Sequence, residues 1–241
     1  MNGIKFHSWI KGFSGCDGGD IGNPESRSVW VCGIEWGGGH TVDSLLNEVN
    51  SSDVNIPPMG YNEASENLKY PFNRNVMKLL AAVEGCPVRD YSSFAYQVKP
   101  FIEGSQGYCK MNLYPVAFKD TNQVRWTENF AQLTGFKNKA DYIQYCRSVR
   151  FPIMNSWVRQ FKPKLIVCFG KTYVNDFKTA FLPSDVELRQ ESIEGRDLFW
   201  AYGYEGVLVA ICPFPLNRYG LASDNQKQAF GSRIKELLDG C

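Results

Sequence analysis

A lone carboxylate, Glu35, follows an apolar run and precedes Gly37, Gly38 and Gly39 in SVWVCGIEWGGGH, residues 28 to 40. Glycines strip away side-chain bulk and let backbone amides and a large ligand come close. A carboxylate set there can orient or activate a water and can stabilise positive charge building on a ligand. The same glutamate can instead cap the helical pattern TVDSLL that follows it. Asn112 ends a second apolar run and offers a donor and an acceptor side by side, the complement of a nucleobase edge; its plainer role is to close a strand-end turn. Leu216 lies in CPFPLNRYG, behind two prolines and before Asn217 and Arg218. An apolar tip on a stiff loop beside a cation can fill the gap that a flipped nucleotide leaves in a duplex, or it can anchor its own loop by burial.

These residues need a scaffold that brings strand ends together. SVWVCG (28–33), GYCKMNL (107–113), KLIVCFG (164–170) and GVLVAICP (206–213) are short apolar runs ending at glycine, proline or a turn, as buried central strands do. Between them lie the helical patterns TVDSLLNEV, NRNVMKLLAAVEG, ADYIQYCRSVRFPIMNSWVRQF with a kink at Pro152, KTYVNDFKTAFL, and SDNQKQAFGSRIKELL with Ser223 and Asp224 as its N-cap region. That order predicts an α/β fold with a mostly parallel central sheet in a three-layer α/β/α sandwich. DLFWAYG and GVLVAIC, joined through YGYEG, read as a hairpin. Ligands of such sheets bind beyond the carboxyl ends of the strands, so GIEWGGG, NLYP, GKT and CPFPLNRYG are compared as one site. The irregular stretches 49–70 and 114–139 are long enough to be functional loops.

With 241 residues, 44% of them hydrophobic, the chain reads as a single domain over 1–241. No run reaches the roughly 18 apolar residues of a membrane span, and MNGIKFHSWIKGFSG lacks the apolar core of a signal peptide. A soluble, cytoplasmic protein with no membrane partner is the expectation. The eight cysteines form no C-x-x-C pair, and His7 and His40 are the only histidines, so no metal site is expected. Cys32, Cys168 and Cys212 lie in or at the ends of apolar runs, where a reduced thiol behaves as a small buried hydrophobe. A net charge of +1 excludes a generally basic surface. Any nucleic-acid partner must be held by local cations, for which Arg74, Lys171 and Arg218 are candidates.

Taken in order, the four strand-end segments resemble the uracil-DNA glycosylase superfamily. Gly33-Ile34-Glu35-Trp36-Gly37 is similar to the Gly-x-(Asp/Asn)-Pro-(Tyr/Gly) motif that positions the hydrolytic water. KMNLYP carries, as Asn112, the strand-end asparagine that reads the base edge. Phe169-Gly170-Lys171 resembles the Trp-Gly-Ser element near a DNA phosphate, and CPFPLNRYG resembles HPSPLSVYRG, the loop bearing catalysis and the leucine wedge, here Leu216. Phe72, with Tyr70 as the fallback, resembles the aromatic that stacks on the extruded base, although an aromatic before a helix also serves as core packing. The resemblance runs from about residue 28 to 238. It departs at Trp36, where the family has proline, at Cys212, where it has histidine, and at Phe214 and Asn217, where it has serines that contact phosphate.

The resemblance implies a monofunctional DNA glycosylase, with DNA as partner and no metal or organic cofactor; a monomer is expected. Glu35 and Cys212 take the catalytic positions, Asn112, Phe72, Tyr70 and Gly37 surround the base, and Lys171, Leu216, Asn217 and Arg218 face the DNA. A neutral thiol at Cys212 cannot supply the donor that histidine gives the departing base, so backbone amides, Asn112 or Arg218 would have to compensate. Gly37 stands where uracil-specific members carry a tyrosine that excludes C5 substituents, which opens the pocket to C5-modified pyrimidines as well as uracil. Asn112 can serve a uracil-like or a cytosine-like edge by rotating. Repair and defence against modified DNA both suit such an activity. Two alternatives stand beside it: a catalytically inactive nucleic-acid-binding module of the same fold, and a nucleotide-processing hydrolase in which GGGHT cradles a phosphate at a helix N-terminus, without the lysine of a phosphate-binding loop.

Overall fold

The computed structural model describes residues 2–35, 37–118, 122 and 125–240. In chain order the elements are α1 (Asn2–Lys11), β1 (Cys16–Gly19), β2 (Val29–Gly33), α2 (Val42–Ser51), α3 (Ala64–Asn67), α4 (Pro71–Val83), α5 (Tyr91–Val98), β3 (Tyr108–Asn112), α6 (Glu128–Thr134), α7 (Lys139–Tyr145), α8 (Phe151–Phe161), β4 (Leu165–Phe169), α9 (Val174–Phe181), β5 (Arg189–Ile193), β6 (Arg196–Tyr202), β7 (Leu208–Cys212) and α10 (Asp224–Asp239). The four apolar runs are β2, β3, β4 and β7, and every residue in them is buried. Burial on both faces is what makes these runs continuous rather than alternating.

The strands form one sheet in the order β1-β3-β2-β4-β7-β6-β5. Its centre, β3-β2-β4-β7, is parallel. The edges are antiparallel: β1 runs against β3, and β6 returns against β7 as the expected hairpin, with β5 outside it. Helices flank the sheet, and successive residues of one strand serve two separate cores. Trp30 and Cys32 pack with Phe6, Trp9, Tyr142 and Val158, while Val29 and Val31 pack with Val76, Leu80, Phe230 and Ile234. Gly33 pairs with Asn112 and Phe169 with Cys212, so the carboxyl ends of the parallel strands finish along one side of the sheet.

Local chemistry sets the helix ends. Thr41 and Ser44 form a reciprocal capping box on α2, and Ser223 and Gln226 form another on α10. α4 begins at Pro71, two residues before the expected start, with the proline in the first turn, where its missing amide is no loss. The kink expected at Pro152 takes the form of a π-helical turn, Cys146–Arg150, between α7 and α8; proline cannot donate four residues back, and the wider turn absorbs the defect. Arg150, at the end of that turn, is fully buried. Its guanidinium donates to the carbonyls of Ile10, Gly12, Ser14, Asn112 and Leu113 and to the Ser14 hydroxyl, tying the amino-terminal arm to the end of β3.

The sequence gives no periodic signal for α1, β1, α5 or β5. β1 is CDGG, with both glycines at positive φ, and β5 is the polar run RQESI on the sheet's edge. Cys16, Cys32, Cys86, Cys109, Cys146, Cys168 and Cys212 are free thiols. Among the described residues, no helix is long and apolar enough to cross a membrane.

Candidate functional site

A cavity of about 440 Å³ opens beside the carboxyl ends of β2 and β3. Its wall brings together Glu35, Gly37, Asn112, Tyr70, Phe72 and Leu216, residues that the sequence reading placed in one site. Tyr61 and Phe118 come to the same wall from the long stretches 49–70 and 114–139. Trp36 lies outside the described residues.

Glu35 does not cap α2, because Thr41 does. Its carboxylate, 5% exposed, instead meets Lys139 Nζ at 2.8 Å, and the ammonium lies 4.5 Å from the centre of the Phe118 ring. Lys139 is completely buried at the first position of α7. A cation in the first turn opposes the helix dipole, so the site is one where a lysine needs a strong local partner, and Glu35 supplies it. That oddity was available in the sequence NKADYIQY; its partner, 104 residues away, was not.

Asn112 is 4% exposed. Its Nδ2 donates to the Gly15 carbonyl at 3.0 Å and to Asp17 Oδ2 at 3.3 Å. Both partners are acceptors, so the amide cannot turn over without setting oxygen against oxygen. This corrects the expectation that Asn112 adapts to either base edge by rotating: its oxygen alone remains for a ligand. A β-carbon at Gly33 would stand 2.5 Å from that oxygen, so the first glycine of GIEWGGG makes room for Asn112.

Next to Asn112 stands a lysine that the sequence reading missed. Lys110 lines the cavity, and its ammonium pairs with Asp17 at 3.3 Å, donates to the Tyr61 hydroxyl at 3.2 Å and lies 5.4 Å from the centre of the Phe72 ring. Burial pulls its pKa down, but the Asp17 carboxylate and the Tyr61 hydroxyl raise it above the ordinary lysine value. Burial and the nearby Asp17 charge raise the Tyr61 hydroxyl as well. A lysine inside a run otherwise read as a buried strand, GYCKMNL, was the signal: such a cation must have a partner. Asp17 sits on β1, which carries no periodic pattern.

Phe72 is half-buried, with its ring against Phe169 and Phe214, each 5.7 Å away between centres. Tyr70 is 45% exposed and tilts against Tyr61. A β-carbon on Gly37 would meet nothing within 4 Å, so that corner is open. Leu216 is 40% exposed. Asn217 accepts the Tyr219 amide in a tight turn, and Arg218 lies over the Tyr219 ring at the surface.

The other expected residues lie elsewhere. Cys212 is fully buried in the core under α4 and α10 and is absent from the cavity wall; burial pushes its thiol well above the ordinary range. It is a packing residue, and its assignment as catalytic is corrected. Lys171 pairs with Asp197 at 3.3 Å on the surface. Arg74 is spent on the carbonyls of Leu68 and Lys69. In GGGHT, Thr41 caps α2, while His40 Nδ1 accepts the Ala117 amide and Nε2 bonds Glu48, so this segment is built as a brace between α2 and the stretch after β3. Among the described residues, no three His, Cys, Asp or Glu side chains gather to hold a metal ion. Compared with models of known protein families and with curated proteins, the chain matches none.

Proposed function

We propose that this chain is a three-layer α/β/α DNA glycosylase that hydrolyses the N-glycosidic bond of a flipped-out pyrimidine, with C5-modified bases among its substrates. The observation that carries the reading is Glu35: a carboxylate on the wall of a cavity at the strand ends, fixed by a fully buried lysine. Cleaving an N-glycosidic bond builds positive charge on the sugar and negative charge on the base. Glu35 stabilises the first and orients the attacking water, and Lys139 positions Glu35 without itself lining the cavity. Phe72 offers a ring face to the extruded base. Leu216, half-exposed on the cavity wall, fills the gap left in the duplex in this reading, and Arg218 next to it meets phosphate. The open space at Gly37 supports acceptance of a C5 substituent.

The test is incubation with duplexes carrying uracil, thymine opposite guanine, and hydroxymethylated or glucosylated cytosine, followed by alkaline cleavage at abasic sites. Cleavage at a C5-substituted base that disappears in Glu35→Gln supports the reading. Wild-type protein that cleaves none of the duplexes overturns it. One observation favours the inactive nucleic-acid-binding module: the residue in the histidine position, Cys212, is buried away from the cavity. Duplex binding with no abasic product would select that module instead.

A further inference from the structure

The cavity wall is more selective about hydrogen bonding than its aromatic lining suggests. Asn73, on α4, lines the cavity and is 1% exposed, and its Oδ1 is buried with no hydrogen-bond partner. Its orientation is fixed by a chain of bonds. Asn67 Nδ2 donates to the Pro100 carbonyl, which points Asn67 Oδ1 at Asn73; Asn73 Nδ2 donates to that oxygen at 2.7 Å and to the Tyr61 hydroxyl at 3.1 Å. Turning Asn73 over would face its oxygen with that of Asn67. An orphaned buried acceptor destabilises the protein, and a ligand that donates to it recovers that cost.

Three lining residues therefore set fixed demands on a ligand's hydrogen bonding. The amide oxygens of Asn73 and Asn112 require donors. Lys110 requires an acceptor: two of its protons are taken by Asp17 and Tyr61, and the third has no acceptor among the described residues. A cytosine-type edge supplies two N–H bonds from its exocyclic amine and an acceptor at the adjacent ring nitrogen. A uracil-type edge supplies one N–H between two carbonyls, and sets a carbonyl oxygen against an amide oxygen. We propose that the cavity takes an aminopyrimidine in preference to an oxopyrimidine, with Lys110 on the ring-nitrogen edge and the amide oxygens of Asn112 and Asn73 on the exocyclic amine. The inference deepens the glycosylase reading by naming the base. In that reaction the Lys110 ammonium faces the ring on which negative charge departs, the place that Cys212 does not reach.

Binding of free nucleosides tests this separately from cleavage. 5-Hydroxymethyl-2′-deoxycytidine and 5-hydroxymethyl-2′-deoxyuridine share the sugar and the C5 group and differ in the edge alone. Titrated by calorimetry against the full chain, the cytidine is expected to bind at least about tenfold more tightly, the cost of one unpaired buried acceptor. Equal affinities, a preference for the uridine, or no binding of either at millimolar concentration would overturn the proposal. Asn73→Ala is expected to erase most of the preference. Asp17→Asn with Lys110→Met removes both charges together, which avoids stranding a buried ion, and is expected to weaken cytidine binding by about tenfold or more; unchanged binding in this variant, with a native thermal melt, counts against the proposal. Cytidine preference without any abasic product would sink the hydrolase reading and leave this one standing. Cleavage confined to uracil-type duplexes would do the reverse.

Discussion

Two acid–lysine pairs border the cavity and present opposite ends to it. In one, Glu35 lines the wall and Lys139 stands behind it; in the other, Lys110 lines the wall and Asp17 stands behind. Neither pair is a surface ion pair of the weak kind, since the Lys139 and Lys110 side chains are 0% and 7% exposed. Burial of two ions seldom stabilises a fold over an apolar replacement, so their worth lies in what they hold at the wall. The two polarities match a bond that breaks toward a cationic sugar and an anionic base.

The strongest test of the Glu35 side is Glu35→Gln, which keeps the shape and removes the charge. Single-turnover excision is expected to fall by roughly 10³-fold, the scale of losing one preorganised electrostatic group in the transition state, with duplex affinity retained. Because this change leaves Lys139 facing an amide, the companion Glu35→Gln with Lys139→Met should show the same loss with a melt closer to wild type. The second test concerns folding. Lys139→Met alone takes a buried counter-ion from Glu35, and Lys110→Met alone takes one from Asp17; each is expected to cost about 3–5 kcal/mol in chemical denaturation, while the paired replacements cost much less. Single and paired variants of equal stability would show that the pairs do not behave as coupled units.

A smaller effect separates the two sides by pH. The folded pKa of Lys110 lies above its ordinary value of 10.5, so its contribution to stability is whole below that pH and is lost as pH rises through the folded value. Tyr61, raised from 10.0, acts in the same direction. Thermal midpoints should therefore show no Lys110-linked decline at neutral pH and fall on the alkaline limb, and Asp17→Asn with Lys110→Met should flatten that limb. The smallest change expected is Leu216→Ala, outside both pairs. It should leave the melt unaltered, spare single strands, and slow action on duplex by about tenfold or less, as loss of a wedge should. An equal loss on both substrates would make Leu216 a loop anchor.

Most of the sheet was legible in the sequence, but of the two pairs only Glu35 was read as a site residue. SVWVCG, KLIVCFG and GVLVAICP announce buried strands because both faces are apolar, and the glycines after SVWVCG mark the turn that carries Glu35. Lys110 was visible as a cation inside GYCKMNL, and its meaning was not, because its partner lies on a four-residue strand with two glycines. Lys139 and Glu35 are local to different elements, and nothing in either stretch points to the other. Asn112 was found for its amide, yet its orientation depends on Gly15 and Asp17, contacts that no spacing encodes. Cys212 shows the converse: motif order placed it in the site, while its position inside an apolar strand placed it in the core, and the strand prevailed.

Arg150 bears on the order in which the molecule is made. The arm that it clasps, including Ile10, Gly12 and Ser14, is made before the guanidinium that holds it, which is encoded up to 140 residues later. Asp17 follows directly on that arm, and its partner Lys110 also comes long after it. During synthesis the bonds that Arg150 makes to that arm can form only once the π-helical turn exists. The cavity wall draws on residues from Gly33 to Leu216, so a partly synthesised chain cannot present a complete site.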